Sequence, residues 1–185
     1  MQDPNLFLGR LLVFLGFLGM SAGLLLLRSP AILKAGWTAF PRSKWPGWIL
    51  TALGVFWVSW VVSHAALGRF EGLKPLIPVL AVVGFGAIVW FLDELLSPRA
   101  LGGLLLLVAN PVLNGVRWAD SAWRFVPAAI AYAWVVAGCA LMLHPWLFRR
   151  VVEKVLPSEK AIRMWGWGKL LAGALLAGAG WWQLR

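Results

Sequence analysis

The sequence predicts an all-α fold, a polytopic membrane helical bundle of about six transmembrane helices in three hairpins. Hydrophobic residues make up 61% of the 185 residues and charged residues only 13%, whereas soluble domains are about 45–50% apolar and about 25% charged. The mean hydropathy is +0.80. Because too few polar residues are present to cover an apolar interior, a lipid bilayer is the solvent that fits this chain.

Six apolar runs account for the predicted spans, since crossing a bilayer takes about 20 apolar residues. Together they form a single integral membrane domain, with hairpins at 6–67, 76–116 and 125–184. The fourth run, 100–116, is the shortest and contains Asn110 followed by Pro111. In chain order, the six runs are 6–27, 47–67, 76–96, 100–116, 125–147 and 166–184.

The basic residues predict the orientation of these spans. Loops one, three and five carry ten Lys and Arg residues, and the alternate loops carry four. Because cytoplasmic loops are enriched in Lys and Arg, we expect both termini on the non-cytoplasmic side of a bacterial inner membrane. Without a fourth crossing the two richest loops would lie on opposite faces, so six spans are favoured over five. The net charge of +10 reflects this bias, and no nucleic-acid partner is expected.

The first and last hairpins share a pattern that indicates a possible parallel repeat. Gly23 lies seven residues before Pro30, and Gly138 lies seven before Pro145. A short segment with helical periodicity follows each proline, which predicts amphipathic helices in the cytoplasmic interface. The alternative is that any basic loop between two spans gives this pattern. The basic side of the second segment carries Arg149, Arg150 and Lys154.

The last hairpin also resembles a family of small two-helix bacterial inner-membrane proteins of unknown function. The resemblance rests on Pro145, the run Phe148-Arg149-Arg150, Arg163, and the glycines Gly166, Gly168 and Gly173. It covers about a quarter of the chain. It implies a membrane hairpin and no particular activity. Here that hairpin is embedded in a six-span chain, unlike the free-standing family members.

Small residues in the first and last spans predict close helix packing. Helices in lipid associate where small side chains let their backbones approach. These contacts form either within the chain or with another subunit. The candidate packing residues are Gly19, Gly23, Gly168, Ala172, Gly173, Ala177 and Gly178.

Ionisable residues near the third turn are candidates for an ion or proton site, because charges are costly inside a bilayer. Asp93 and Glu94 end the third span, and Arg99 follows them. They bind a cation or carry a proton, or they form an interfacial ion pair with the basic loops. The histidines and deep tryptophans are candidate ligand contacts, with ordinary interfacial or core packing as the alternative. These are His64, His144, Trp90 and Trp134.

No catalytic signature is present in the sequence. It contains no Walker loop, HExxH, paired CxxC or serine-elbow motif, and its one cysteine, Cys139, lies in a span. We therefore expect no catalytic residue and no metal site, and the sequence names no cofactor. The favoured function is a non-catalytic accessory or assembly subunit that binds the bilayer and other membrane subunits. The alternatives are a small solute or ion transporter or channel, and a lipid-modifying enzyme.

Overall fold

The computed structural model describes residues 3–92, 95–155 and 158–185, and this part of the chain is almost entirely helical, without a strand. The predicted all-α class is confirmed. Asp93 and Glu94 lie outside the described residues. The α-helices are α1 (Pro4–Arg28), α2 (Pro30–Ala39), α3 (Lys44–His64), α4 (Ile77–Phe91), α5 (Leu96–Val116), α6 (Phe125–Leu143), α7 (Trp146–Val155) and α8 (Glu159–Gln183), and 3₁₀ helices cover Phe40–Arg42, Gly68–Leu76 and Ala122–Arg124.

Within the described residues, five helices are long and apolar enough to cross a membrane: α1, α3, α5, α4 with the 3₁₀ turn before it, and α6 with the 3₁₀ turn before it. The fourth predicted run is therefore a full-length helix, and it begins four residues earlier than predicted. The sixth predicted span, α8, has 25 residues but is less apolar, because glycine, tryptophan and Lys169 replace leucine and valine. It pairs along α1, and its crossing of the bilayer stays a prediction.

The two predicted short helices are present as α2 and α7, each of ten residues. In α7, Phe148 and Val152 are buried, whereas Arg149 and Glu153 are exposed and form an ion pair of 3.2 Å between Nε and Oε1. The polar side of α7 is thus the basic side that the sequence predicts. Arg150 and Lys154 are also exposed on this helix.

The chain forms two compact units, each assembled from separate stretches of sequence. The first unit comprises Met1–Thr38, Val108–Val135 and Arg149–Arg185, and the second comprises Ala39–Leu107 and Val136–Phe148.

In the first unit, α1 and α8 form an antiparallel pair in direct backbone contact. A Cβ atom built on any of six glycines would lie 2.6–3.2 Å from the carbonyl oxygen of its partner glycine. Only glycine allows helices to approach this closely. The glycines recur every seven residues, which is nearly two helical turns, so they stay on one face. The pairs are Gly9 with Gly180, Gly16 with Gly173, and Gly23 with Gly166.

This glycine contact includes only part of the packing set expected from the sequence. Gly23, Gly173 and Ala177 lie in it, and a Cβ on Gly19 would meet Gly173 at 3.4 Å. A Cβ on either of two other predicted glycines would meet nothing within 4 Å, and the predicted alanine beside them is exposed. Gly168, Ala172 and Gly178 therefore lie off the contact. The physical reason is that four-residue steps drift around the helix, whereas seven-residue steps do not.

Polar groups join the ends of the first unit where α1 begins and α8 ends. The Asp120 N–H donates to Asn5 Oδ1 at 3.1 Å, and Gln183 Nε2 donates to Ser121 Oγ at 2.6 Å. Beneath them, Leu8 and Leu12 of α1 are fully buried. The start of α1 and the end of α8 therefore lie at this end of the unit.

In the second unit, two close contacts hold the start of α5. A Cβ on Gly47 of α3 would lie 3.0 Å from Ser97 Oγ, and Cβ atoms on Gly102 and Gly138 would lie 2.7 and 2.8 Å from each other's carbonyl oxygen. Ser97 Oγ also donates to the Ser43 carbonyl oxygen at 2.6 Å. The first turn of α5 is thus fixed against the first turn of α3.

Candidate functional site

A cavity of about 670 Å³ lies between α3, α4 and α5 in the second unit. Its walls are almost entirely leucine, valine, isoleucine and alanine side chains, and the polar side chains among them are Thr51, Ser59 and Arg99. The α4 wall buries no residue completely. An apolar chain therefore fits this cavity better than a hydrated solute does.

The polar end of the cavity lies where α3 and α5 begin. Ser97 is 1% exposed, and its bond to Ser43 fixes the chain two residues before Arg99. Thr51 lies one turn beyond Gly47, which packs on Ser97. The helix contact that positions α5 therefore brings Arg99 and Thr51 to the same cavity, where both are lining residues.

Three buried side-chain polar atoms in the described ranges have no hydrogen-bond partner, two of them on lining residues of the cavity and the third on Trp48, one turn before Thr51 on α3. They are Trp48 Nε1, Thr51 Oγ1 and Arg99 Nε. Indole and guanidinium nitrogens only donate, and a hydroxyl can donate. Burying an unpaired polar group costs about 1–3 kcal/mol, and more for a charged group. The three atoms thus form a set of donors that a negatively charged acceptor would satisfy.

The unpaired hydroxyl of Thr51 differs from the other helical hydroxyls. Ser59 donates to the Val55 carbonyl oxygen and Ser63 to that of Trp60, each at 2.8 Å. Such bonds to the preceding turn are the usual way in which a hydroxyl is satisfied within a helix. Thr51 is 6% exposed and forms no such bond in the described structure.

Of the predicted ion site, only Arg99 lies in the described residues, and it lines the cavity. The role of Asp93 and Glu94 stays a prediction. In the described part of the chain, no three His, Cys, Asp or Glu side chains lie together in an arrangement that could hold a metal ion.

The predicted histidine and tryptophan ligand contacts lie apart from the cavity's lining. His64 stacks on Trp60 at 4.4 Å, and its Nδ1 lies 2.9 Å from the Trp60 carbonyl oxygen. His144 meets Trp146 edge to face, with 6.0 Å between ring centroids. Trp90 is 84% exposed on α4.

Trp134 packs on Ala109, Val112 and Ala131 in the first unit. That position agrees with the core-packing alternative for this side chain. Sequence reasoning did not find Thr51 or Trp48. The available signal was a hydroxyl residue within an apolar span, three residues after a tryptophan and therefore on the same helical face.

Proteins similar to this chain are found among bacterial flippase subunits. The chain is 39% identical over 82 residues to a protein of Pseudomonas aeruginosa strain UCBPP-PA14 described as the probable 4-amino-4-deoxy-L-arabinose-phosphoundecaprenol flippase subunit ArnE. It is 38% identical over 82 residues to the protein of that description from strain LESB58. Both matches cover 43% of this chain and 69% of the relative, so this chain is the longer one.

No protein-family model and no solved structure matches the chain. The relationship therefore rests on the flippase subunits, more than two thirds of whose length is matched at 38–39% identity. Their description as membrane subunits agrees with the apolar helices of this structure. The chain belongs to the family of the ArnE flippase subunits.

Proposed function

We propose that this protein is a non-catalytic subunit of an inner-membrane assembly that moves a lipid-linked polar cargo across the bilayer. The observation that carries the proposal is the 39% identity to a protein described as a flippase subunit. That description joins two functions that the sequence leaves as alternatives, an accessory subunit and a transporter. Because that relative is described as a subunit, we also propose that this protein has a partner membrane protein.

The cavity between α3, α4 and α5 supports a lipid-linked cargo. A flippase has to shelter a polar head group while the hydrocarbon chain stays in an apolar environment, because exposing either to the wrong medium is costly. Here the lining is apolar over most of its length and polar at the α5 start, with Arg99 and Thr51. A cargo with an apolar chain and an acidic head group matches that order.

The orientation that we propose has both termini on the non-cytoplasmic side. The antiparallel pairing of α1 with α8 supports placing both termini on one side, since Gly9 lies against Gly180. The Lys and Arg bias then supports assigning the opposite side, with α2 and α7, to the cytoplasm. In this orientation the α5 start and Arg99 lie near the cytoplasmic surface.

The proposal is tested by translocation of a lipid-linked sugar. The full chain is purified in mild detergent with whatever membrane partner accompanies it and is reconstituted into vesicles containing a polyprenyl-phosphate-linked aminosugar. A membrane-impermeant amine reagent then reports how much of the aminosugar has crossed. We expect the protein to increase the transfer rate several-fold over protein-free vesicles. No increase, with or without the co-purified partner, would contradict the function.

A matched pair of variants tests whether the cavity is the path. Gly103 lines the cavity, and a Cβ there would meet nothing within 4 Å, so Gly103→Trp fills the cavity without displacing a backbone. Gly168→Trp places the same side chain in open space on α8, away from the lining. We expect the first variant to abolish translocation and the second to retain it. Equal rates in the two variants would exclude the cavity as the path.

A further inference from the structure

We infer that Arg99, Thr51 and Trp48 form the binding site for the phosphate of a long-chain lipid phosphate whose hydrocarbon chain occupies the cavity between α3, α4 and α5. This inference rests on the proposed function and names the part of the cavity that recognises the cargo. Its evidence is the gathering of unpaired donors at one end of an apolar cavity.

The charge at this end selects an anion. Arg99 is a permanent cation whose planar guanidinium matches two oxygens of a phosphate. Its Nε is buried and has no hydrogen-bond partner among residues 3–92, 95–155 and 158–185. The basic residues Arg42 and Lys44 flank Ser43, whose carbonyl oxygen accepts the Ser97 hydrogen bond at the α5 start. Basic residues therefore lie near the start of both helices.

The donors select a group with several acceptor oxygens. Trp48 and Thr51 are three residues apart on α3 and so lie on one face of that helix. The indole nitrogen, the hydroxyl and the guanidinium Nε supply three donors from two helices. A phosphate offers enough acceptor oxygens for all of them, whereas an alcohol of the same chain length offers one. We therefore expect the phosphate to be distinguished from the free alcohol.

The apolar lining selects a lipid rather than a free anion. From the polar end, the lining continues along α3 and α5 through residues such as Leu50, Val58, Leu104 and Leu107. A hydrocarbon chain packs against these side chains, and inorganic phosphate cannot make such contacts. The occupant is therefore amphiphilic, with its phosphate at the α5 start and its chain along the helices.

The test compares the binding of two lipids by the purified full chain. Undecaprenyl phosphate and undecaprenol differ only in the phosphate, and their binding to the detergent-solubilised protein is measured by native mass spectrometry and by competition with a radiolabelled lipid. We expect the wild type to bind the phosphate roughly tenfold or more tightly, because hydrogen bonds to charged groups are the strong ones. A wild type without this preference would overturn the inference.

Substitutions then assign the preference to named side chains. Arg99→Gln is expected to remove the preference for the phosphate, Thr51→Val to reduce it, and Arg99→Lys to keep part of it, because lysine retains the charge but not the planar fork. Arg163→Gln is the matched control, since it removes the same charge from an exposed residue of α8 outside the lining. Binding of undecaprenol by each variant shows that its cavity is still folded.

Two results would overturn the inference even with a preference in the wild type. The first is an unchanged preference in Arg99→Gln. The second is displacement of undecaprenyl phosphate by inorganic phosphate at equal concentration, which would show a site for the free anion. Vesicle translocation by the wild type separates the two proposals. If the wild type translocates the lipid but Arg99→Gln keeps the preference for the phosphate, only the phosphate site is overturned. If the phosphate preference depends on Arg99 but no translocation occurs, only the proposed function is overturned.

Discussion

Gly16 of α1 and Gly173 of α8 lie back to back, so that a Cβ on either glycine would meet the carbonyl oxygen of the other at 2.7 and 2.6 Å. Carbonyl oxygens belong to the helix backbone and cannot rotate aside as a side chain can. The first and last spans are thereby joined by their backbones, although they are far apart in sequence. This contact fixes where both ends of the chain lie.

We expect Gly173→Ala to destabilise the protein. The added methyl group overlaps the Gly16 carbonyl oxygen and forces the helices apart, which costs about 1–3 kcal/mol for overpacking. The measurement is the thermal unfolding midpoint in detergent, followed by circular dichroism. Gly168→Ala is the control on the same helix, because a Cβ there meets nothing within 4 Å. Midpoints lowered equally in both variants would show that the contact is not tight.

A second pair of neighbouring glycines allows the same test in α5. A Cβ on Gly102 would lie 2.7 Å from the Gly138 carbonyl oxygen, whereas a Cβ on Gly103 would meet nothing within 4 Å. We therefore expect Gly102→Ala to lower the unfolding midpoint and Gly103→Ala to leave it unchanged or slightly raised, since alanine favours helix. The opposite order would contradict the α5–α6 contact.

Gly138 also bears on the predicted internal repeat. Like Gly23, it lies seven residues before a proline, and each of these two glycines contacts a glycine of an antiparallel neighbour. Gly23 contacts Gly166, and Gly138 contacts Gly102. The element order span, ten-residue helix, span also recurs, as α1–α3 and as α6–α8. The shared glycine contacts and the shared element order agree with the predicted repeat, and the duplication itself stays a prediction.

The sequence was sufficient to predict the helical class, the short helices and most span boundaries, because lipid solvation selects long apolar runs and proline ends helices. It was not sufficient for the glycine contact. Gly9, Gly16, Gly166 and Gly180 were not predicted as packing residues, because the predicted set follows four-residue steps, while antiparallel close packing here uses seven-residue steps.

The polar end of the cavity was predicted only through Arg99. A hydroxyl residue in an apolar span usually bonds to its own helix, so the sequence does not predict that the Thr51 hydroxyl is unpaired. The difference from Ser59 appears only in the structure, where Ser59 donates to the Val55 carbonyl oxygen and the Thr51 hydroxyl has no partner among the described residues. Which donors remain unpaired is therefore a property of the tertiary structure.

Ser97→Ala tests whether the hydrogen bond from Ser97 to the Ser43 carbonyl oxygen positions Arg99. Its loss leaves the Ser43 carbonyl oxygen without this donor, and a bond of this kind contributes about 0.5–1.5 kcal/mol. We expect a slightly lower unfolding midpoint together with a weakened preference for undecaprenyl phosphate over undecaprenol. Ser63→Ala is the control, because its hydroxyl bonds within its own helix. A lower midpoint with an intact lipid preference would mean that Ser97 stabilises the helices without positioning Arg99.

The orientation is tested by single-cysteine labelling. Cys139 is the single cysteine of the chain, so Cys139→Ala gives a background without thiols. Ala35→Cys and Lys154→Cys place exposed thiols on α2 and α7, and Arg117→Cys places one after α5. With a membrane-impermeant maleimide, we expect the first two to react in inside-out vesicles and the third in right-side-out vesicles.

Because α1 pairs with α8, the labelling outcome tests whether the number of spans is even, as six is, or odd. Because Gly23 lies against Gly166, the helices that follow α1 and precede α8 leave the pair at the same end. An even number of crossings is needed to bring the chain from α2 back to that end at α7. Thiols at positions 35 and 154 that react from opposite faces would require an odd number, and they would contradict the antiparallel pair as well as the orientation.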